Sequence, residues 1–266
     1  MDKIAVCAIF KDEAPYLLEW LAYHKMVGVD LFVLYDNGST DGGPDLVRRS
    51  SFARNVTIID WPMAAGQMPA YEDFCANHAA RFDWAAYIDL DEFIVPVGGS
   101  SIREPLMRRT YADYSAILLQ WMVFGPSGHQ QRPDGLVIEN YTTRLPEHFP
   151  ASRHVKSLVR GKAVTSAGST PHIINVNGPT CNTRGQTVLS YAEQPDECHD
   201  TLLINHYFTK SRAEWTAKLR RGKADAPDPA TDPYRDGIYF DVARDATVTD
   251  TRITRFVPRL RSLLRD

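Results

Sequence analysis

The segment Tyr87-Ile88-Asp89-Leu90-Asp91-Glu92-Phe93 runs from an apolar stretch straight into carboxylates. Two carboxylates at i and i+2 beyond a strand can both reach one divalent cation through oxygen ligands. Such a cation can bridge two phosphates and neutralise charge developing on a leaving group, as a Lewis acid does. A solvated acidic turn is the plainer reading, and Asp-x-Asp alone is common by chance. A second cluster, Asp36-Asn37-Gly38-Ser39-Thr40-Asp41, follows another apolar run. Asp36 could accept a hydrogen bond from a base N–H or a ribose hydroxyl, and Asn37-Gly38 suits a tight turn. It reads equally as a plain turn, with Ser39 or Thr40 capping the next helix. A third cluster, Asn205-His206-Tyr207-Phe208-Thr209-Lys210-Ser211, closes a strand and opens a helix. A neutral imidazole at His206 can be a further metal ligand. Lys210 near a helix N-terminus could meet a phosphate. Taken blandly, His206 is structural and the basic residues that follow it are a solvated face.

The elements that must position these clusters alternate in type. Apolar runs predict strands at Ile4 to Phe10, Leu31 to Tyr35, Val56 to Asp60 and Ala85 to Leu90. Between them lie a helix capped by Asp12, with Pro15 in its first turn and Gly28 as its stop, a second over Asp45 to Arg49, and a third over Tyr71 to Phe82. Alternating strands and helices imply a parallel sheet with right-handed crossovers. Ligands bind beyond the carboxyl ends of such strands. Asp36 and the Asp89/Asp91 pair both fall at that edge. The second half is less regular: strands over Ala116 to Val123, Val137 to Tyr141, Val155 to Val159 and Leu202 to Tyr207, a helix over Ser211 to Gly222, and a final basic helix ending near Leu264.

Composition narrows the class. A chain of 266 residues, 44% apolar and 24% charged, can bury a sizeable core as one large domain, or one domain with an appendage. A net charge of -3 makes no case for binding nucleic acid. No run approaches the roughly 20 apolar residues of a membrane-spanning helix. Cys7, Cys75, Cys181 and Cys198 have no metal-binding spacing and read as free thiols of a reducing compartment, so a cytoplasmic location is expected, with peripheral docking on a membrane surface left open.

Four blocks in order carry a resemblance. They are Lys11-Asp12-Glu13-Ala14-Pro15-Tyr16-Leu17-Leu18-Glu19-Trp20 with Tyr23-His24; Tyr35-Asp36-Asn37-Gly38-Ser39-Thr40-Asp41; Asp89-Leu90-Asp91-Glu92-Phe93; and Asn205 to Ser211. Together they resemble the signature blocks of the family 92 glycosyltransferases and allied family-2-like bacterial enzymes, over residues 4 to about 223. Trp121 with Phe124-Gly125-Pro126-Ser127-Gly128-His129 resembles a block of the bacterial members. The resemblance implies a GT-A fold: Rossmann-like α/β, with a mostly parallel central sheet flanked by helices and a less regular acceptor-binding C-terminal half. It implies a nucleotide-sugar donor, commonly a UDP-sugar, Mn²⁺ (or Mg²⁺), and transfer of a hexose such as galactose with inversion. Carried over, Asp89 and Asp91 would meet the metal and the donor, and His206 would complete the metal shell. Lys11, Glu13 and Asp36 would line the nucleoside pocket, and Lys210 would approach the diphosphate.

The expected organisation is a glycosyltransferase domain over 1–223, with a nucleotide half 1–95 and an acceptor half 96–223, then a Pro/Asp-rich stretch and basic helix over 224–266. The acceptor is expected to be a glycan or glycolipid, as in polysaccharide biosynthesis. The Glu-Asp pair and Gln-x-x-Arg-Trp segment of family 2 do not stand here in recognisable form. Glu139, a carboxylate interrupting an apolar run, is the candidate base, with Arg144 as its alternative structural partner; Asp134, Glu147 and His129 compete for the role. Trp121, His129 and His172 are candidate acceptor contacts, with His172 also a candidate for the donor phosphates or metal. Arg153, His154 and Lys156 form a basic cluster that could face an anionic substrate. Residues 210–223 and the stretch after them could close over the site. The C-terminal arginines could touch anionic lipid, although a packed helix explains them as well. Rival readings are a nucleotidyltransferase, which would want a glycine-rich loop where Lys11-Asp12-Glu13 stands, and a non-catalytic nucleotide-sugar-binding module.

Overall fold

A computed structural model describes residues 2–194, 196–222 and 235–265. In chain order the elements are β1 (Ile4–Phe10), α1 (Ala14–Val27), β2 (Leu31–Asp36), α2 (Gly43–Arg49), β3 (Val56–Asp60), α3 (Gln67–Asn77), β4 (Trp84–Tyr87), β5 (Glu92–Pro96), α4 (Arg103–Leu106) and β6 (Ala116–Val123). There follow α5 (Val137–Asn140), β7 (Thr143–Arg144), β8 (Val155–Arg160), β9 (Val164–Ala167), β10 (Ile174–Val176), β11 (Thr180–Asn182), β12 (Leu202–His206), α6 (Arg212–Arg221), α7 (Arg235–Asp245), β13 (Val248–Thr249) and α8 (Val257–Leu263). The architecture is the expected α/β type. A nine-stranded sheet runs β3-β2-β1-β4-β8-β6-β12-β5, with β11 also on β6. Strands β3, β2, β1 and β4 are parallel neighbours; β8 lies antiparallel to both β4 and β6, and β5 antiparallel to β12. Every residue of β1 is buried, as a parallel strand covered on both faces requires. One apolar layer joins Trp20, Leu21 and Phe32 to Leu260 of α8, and the other joins Tyr71, Phe74 and Tyr87 on the α3 side.

Local chemistry departs from expectation at several points. Asp12 does not cap α1. Its φ is 50°, and its carboxylate accepts the Thr40 N–H at 2.7 Å, while its own N–H donates to Ser39 Oγ at 3.0 Å. The first helical N–H, at Ala14, donates instead to Asp41 Oδ2 at 2.7 Å. A cap supplied from 27 residues away leaves no local sequence signature. Neither Ser39 nor Thr40 caps α2, whose N-cap is Gly42. Gly28 does end α1, at φ 116°. The expected strand at Ala85 to Leu90 is shorter, and the acidic motif forms the turn between β4 and β5.

The expected strand at Val137 to Tyr141 is the short helix α5. Its free N–H groups at Val137 and Ile138 donate to Glu19 of α1, at 2.8 and 3.1 Å. Burial pushes the Glu19 carboxyl up to about 7, with those two hydrogen bonds opposing it. The folded state therefore holds a proton that the unfolded chain releases near its ordinary value of about 4.3. Stability from this group is complete below that value and is lost as pH rises towards 7. At about 1.4 kcal/mol per pH unit, the window is worth about 4 kcal/mol. Denaturant unfolding of Glu19→Gln should show a pH dependence flatter by that amount than wild type; matching slopes would contradict this account.

The C-terminal segment packs into the same body. Ile253, Phe256 and Leu260 are buried, β13 pairs with β7, and Arg144 meets Asp250 at 2.7 Å. Arg255 donates to the carbonyls of Pro96 and Gly99, and Arg252 pairs with Asp250. The basic residues of this segment are thus largely used inside the protein. The expected Pro/Asp-rich closing stretch lies outside the described residues, apart from its last positions at the start of α7. No helix among the described residues is long and apolar enough to cross a membrane.

Candidate active site

Strand register assembles the polar clusters. Phe10 of β1, Asp36 of β2 and Asp60 of β3 lie side by side at the carboxyl edge. Asp89 follows β4 at the same edge, with the Ile88 N–H held by the Cys7 carbonyl. The antiparallel pairing of β5 with β12 sets Glu92 opposite His206, and the Tyr207 N–H donates to the Asp91 carbonyl at 2.8 Å. His206 Nε2 consequently lies 3.5 Å from Asp91 Oδ1. Parallel pairing of β12 with β6 brings Trp121 onto the His206 ring, with centroids 4.2 Å apart. The β6–β8 register sets Leu119 beside Lys156, whose ammonium reaches Asp89 at 2.8 Å and Glu92 at 3.7 Å.

The two aspartates have different partners. Asp89 Oδ1 accepts from Gln67 of α3 at 2.9 Å, and its Oδ2 takes Lys156. Glu92 accepts the Asp89 N–H at 2.9 Å, which closes the acidic turn. Asp91 pairs with His206 and with Lys218 of α6, at 2.7 Å to the latter. Burial alone would raise Asp91, yet Lys218 and then His206 hold it well below the usual carboxylate range. Burial pushes Glu92 well above its ordinary value despite Lys156. Burial also lowers His206, against the pull of Asp91, so its imidazole is neutral. Lys156 is buried, but Asp89 and Glu92 raise it above its ordinary value and keep it charged.

Helix α6 reaches across this group. Ser211 caps it and forms a reciprocal capping box with Glu214. Glu214 also accepts the hydroxyls of Tyr16 and Tyr141, fixing the helix start to α1 and α5. From its far end Arg221 pairs with Glu13 at 2.7 Å, leaving Glu13 Oε2 buried with no hydrogen-bond partner among the described residues. Lys210 has φ 50° and places its ammonium 4.1 Å from the centre of the Tyr16 ring.

The predicted site residues therefore divide. Asp91 and His206 come together; Asp89 lies beside them but is turned to Lys156 and Gln67. Asp36 Oδ1 accepts the Ser39 N–H at 2.9 Å, and Lys11 stands half-buried just past β1. Trp121 stacks on His154 at 5.1 Å and 19° and meets the His172 ring edge-on at 5.1 Å. His129 sits elsewhere, its Nε2 at 3.2 Å from the Asn140 carbonyl and its ring against Tyr141. Glu139 shares no contact with the aspartates, lysines or histidines of the group. Its carboxylate is gripped by Arg261 of α8 at 2.5 and 3.1 Å, while its expected partner Arg144 takes Asp250 and Glu147. A salt-bridged carboxylate on a short helix has its partner already. Sequence reasoning missed Gln67 and Lys218 as partners of the motif. Lys156 carried a signal, a lysine interrupting the apolar run Val155 to Val159; Gln67 carried none.

Among the described residues, no three His, Cys, Asp or Glu side chains converge as a self-sufficient metal cage. Asp91 and His206 supply two ligands within reach of one ion, and His206 Nδ1 is buried with no hydrogen-bond partner among the described residues. That fits a divalent cation that takes one or two protein carboxylates and completes its shell with phosphate oxygens and water.

The chain matches the family model "Glycosyltransferase family 92" over residues 2–224. It is 30% identical over 208 residues to glycosyltransferase family 92 protein Os08g0121900 of Oryza sativa subsp. japonica, covering 77% of this chain and 33% of that protein. It is 29% identical over 215 residues to family 92 protein RCOM_0530710 of Ricinus communis, covering 77% and 35%. The chain thus spans about a third of the length of these relatives. Among solved structures it is similar to S. aureus TarS in complex with UDP, at TM-score 0.40 and 14% identity, over 60% of this chain and 47% of that one.

Proposed function

The chain belongs to glycosyltransferase family 92, and we propose on that premise that it is a metal-dependent GT-A glycosyltransferase. It moves a hexose, galactose-like, from a nucleotide-sugar, a UDP-sugar, to a glycan or glycolipid with inversion. The observation that carries this reading is the convergence of Asp91, His206 and Lys218, with Asp89 and Lys156 beside them, beyond the carboxyl ends of parallel strands. Nucleotides bind at that edge in doubly wound sheets.

Asp36 receives the nucleoside, with Lys11 and Glu13 beside it. Asp91 and His206 would hold Mn²⁺ or Mg²⁺, with Asp89 on the donor's ribose or diphosphate. When bound, the metal supplies Lewis-acid stabilisation of the departing diphosphate. Lys218 rests on Asp91 and would share that carboxylate with a bound cation. Lys210 and Lys218 then face the diphosphate, and Lys156 holds Asp89 in place. Trp121 offers an aromatic face to the acceptor sugar. Residues 1–95 serve the nucleotide and 96–223 the acceptor.

Product analysis tests the reaction class. Incubation with UDP-galactose, UDP-glucose or GDP-mannose and Mn²⁺ should release free nucleoside diphosphate. Pyrophosphate from a nucleoside triphosphate and a sugar phosphate would instead mark a nucleotidyltransferase, and neither product would mark a binding module.

A further inference from the structure

With Glu139 bound to Arg261, the carboxylate expected to activate the acceptor is engaged away from the metal-ligand pair. Another group has the right arrangement. His172 lies in the turn that joins β9 to β10. Its backbone is pinned to β8: its carbonyl accepts the Ser157 hydroxyl at 3.0 Å, and the Ile174 N–H donates to the Ser157 Oγ at 3.2 Å. The ring is fixed as well. Nδ1 lies 2.9 Å from the Val155 carbonyl, which can only accept, so Nδ1 carries the hydrogen and Nε2 the lone pair. Nε2 makes no hydrogen bond among the described residues, and the side chain is half-buried rather than sealed. The ring edge meets Trp121 at 5.1 Å, and Trp121 covers His206. An oriented, neutral imidazole thus stands against Trp121, near enough to Lys156 and Asp89 to feel their charges.

We propose that His172 is the general base of the transfer, a reading that rests on the glycosyltransferase assignment above. Nε2 takes the proton of the acceptor hydroxyl as that oxygen bonds to the anomeric carbon. The bond from that carbon to the diphosphate oxygen breaks, and its electron pair leaves with the diphosphate. The imidazolium then returns its proton to water. The orienting partner is a backbone carbonyl in place of the usual carboxylate, and it selects the same tautomer.

The charged and titratable groups around the ring are Lys156 on β8, His154 before it, and Asp89 beyond β4. Burial, and then Lys156, lower His172 to about 4 against the Val155 hydrogen bond. The imidazole is therefore neutral at physiological pH. Activity that needs it rises with pH on the acid side and falls as pH drops through that value.

The test uses His172→Asn, whose amide can still donate to the Val155 carbonyl but offers nothing at the Nε2 position. His172→Gln is the second variant. Nucleoside diphosphate release is followed with Mn²⁺ and water as acceptor, using the fastest donor among UDP-galactose, UDP-glucose and GDP-mannose. Both variants should keep wild-type affinity for UDP and Mn²⁺ and lose turnover by about 100-fold or more. The acid limb of kcat/KM should vanish. Azide, a nucleophile with no proton to lose, should restore turnover at least about tenfold, because the missing step is proton removal. Unchanged turnover overturns the proposal. So does a loss matched by weaker Mn²⁺ binding, which marks a metal ligand, or a loss that azide does not relieve. If the wild-type protein releases no nucleoside diphosphate from any of the three donors, the glycosyltransferase reading itself falls, and that result is distinct from the others.

Discussion

Asp91→Ala should lower turnover about a thousandfold while leaving the protein folded. Among the described residues, Asp91 is the one carboxylate paired with both His206 and Lys218. Its loss removes half of the protein's hold on a divalent ion and leaves His206 alone. An electrostatic clamp on a departing diphosphate is worth about 4 kcal/mol, which corresponds to that factor. The folding cost should be far smaller. The Lys218 side chain is 22% exposed and can return its charge to water, and the neutral His206 needs no counter-ion. We expect a stability loss of about 1–2 kcal/mol. Parallel assays of nucleoside diphosphate release and denaturant unfolding separate the two quantities. Asp91→Asn, which keeps the shape and removes the charge, should match the alanine variant in turnover. Near-normal activity in either variant would contradict the role given to Asp91.

Lys156→Met should have the opposite profile, with stability struck first. Lys156 is buried, and two carboxylates depend on it: Asp89 at 2.8 Å and Glu92 at 3.7 Å. Glu92 is fully buried; Lys156 approaches its Oε2, and its Oε1 has no hydrogen-bond partner among the described residues. Removing one member of a buried charge group leaves the others uncompensated, at a cost of about 3–5 kcal/mol. For a domain of this size that lowers the melting temperature by roughly 10 °C. The double variant Lys156→Met, Glu92→Gln should recover at least about 1 kcal/mol, because the amide needs no counter-charge. A single variant that melts with wild type would mean that this network carries no stability.

The parallel half of the fold was legible because its strands are continuous apolar runs punctuated by Asp12, Asn37-Gly38 and Gly28. The carboxyl-edge rule then places Asp36 and Asp89 at one edge from the sequence alone. What stayed hidden depends on pairings between distant residues. Val137 to Tyr141 carries Val, Ile and Tyr, residue types common in strands, yet Glu19, more than a hundred residues earlier, caps it as a helix. The Asp41 cap on α1 and the Arg261 grip on Glu139 have the same character. Glu139 looked available because its partner stands 122 residues downstream. Lys218 read as one cation on a solvated basic face, since nothing local says that a helix will lay it on Asp91. Gln67 is an unremarkable polar residue until α3 aims it at Asp89. His172, a histidine in a polar loop, gained meaning only when the Val155 carbonyl fixed its tautomer.

The central claim is that this edge of the sheet is a metal-dependent site for a nucleoside diphosphate. Calorimetric titration of the wild-type protein with UDP, once with Mn²⁺ and once with EDTA, tests it most directly. The account predicts a saturable heat with Mn²⁺ that EDTA abolishes. UDP binding of equal strength in EDTA would contradict the metal's part in the site, and no binding under either condition would contradict the site.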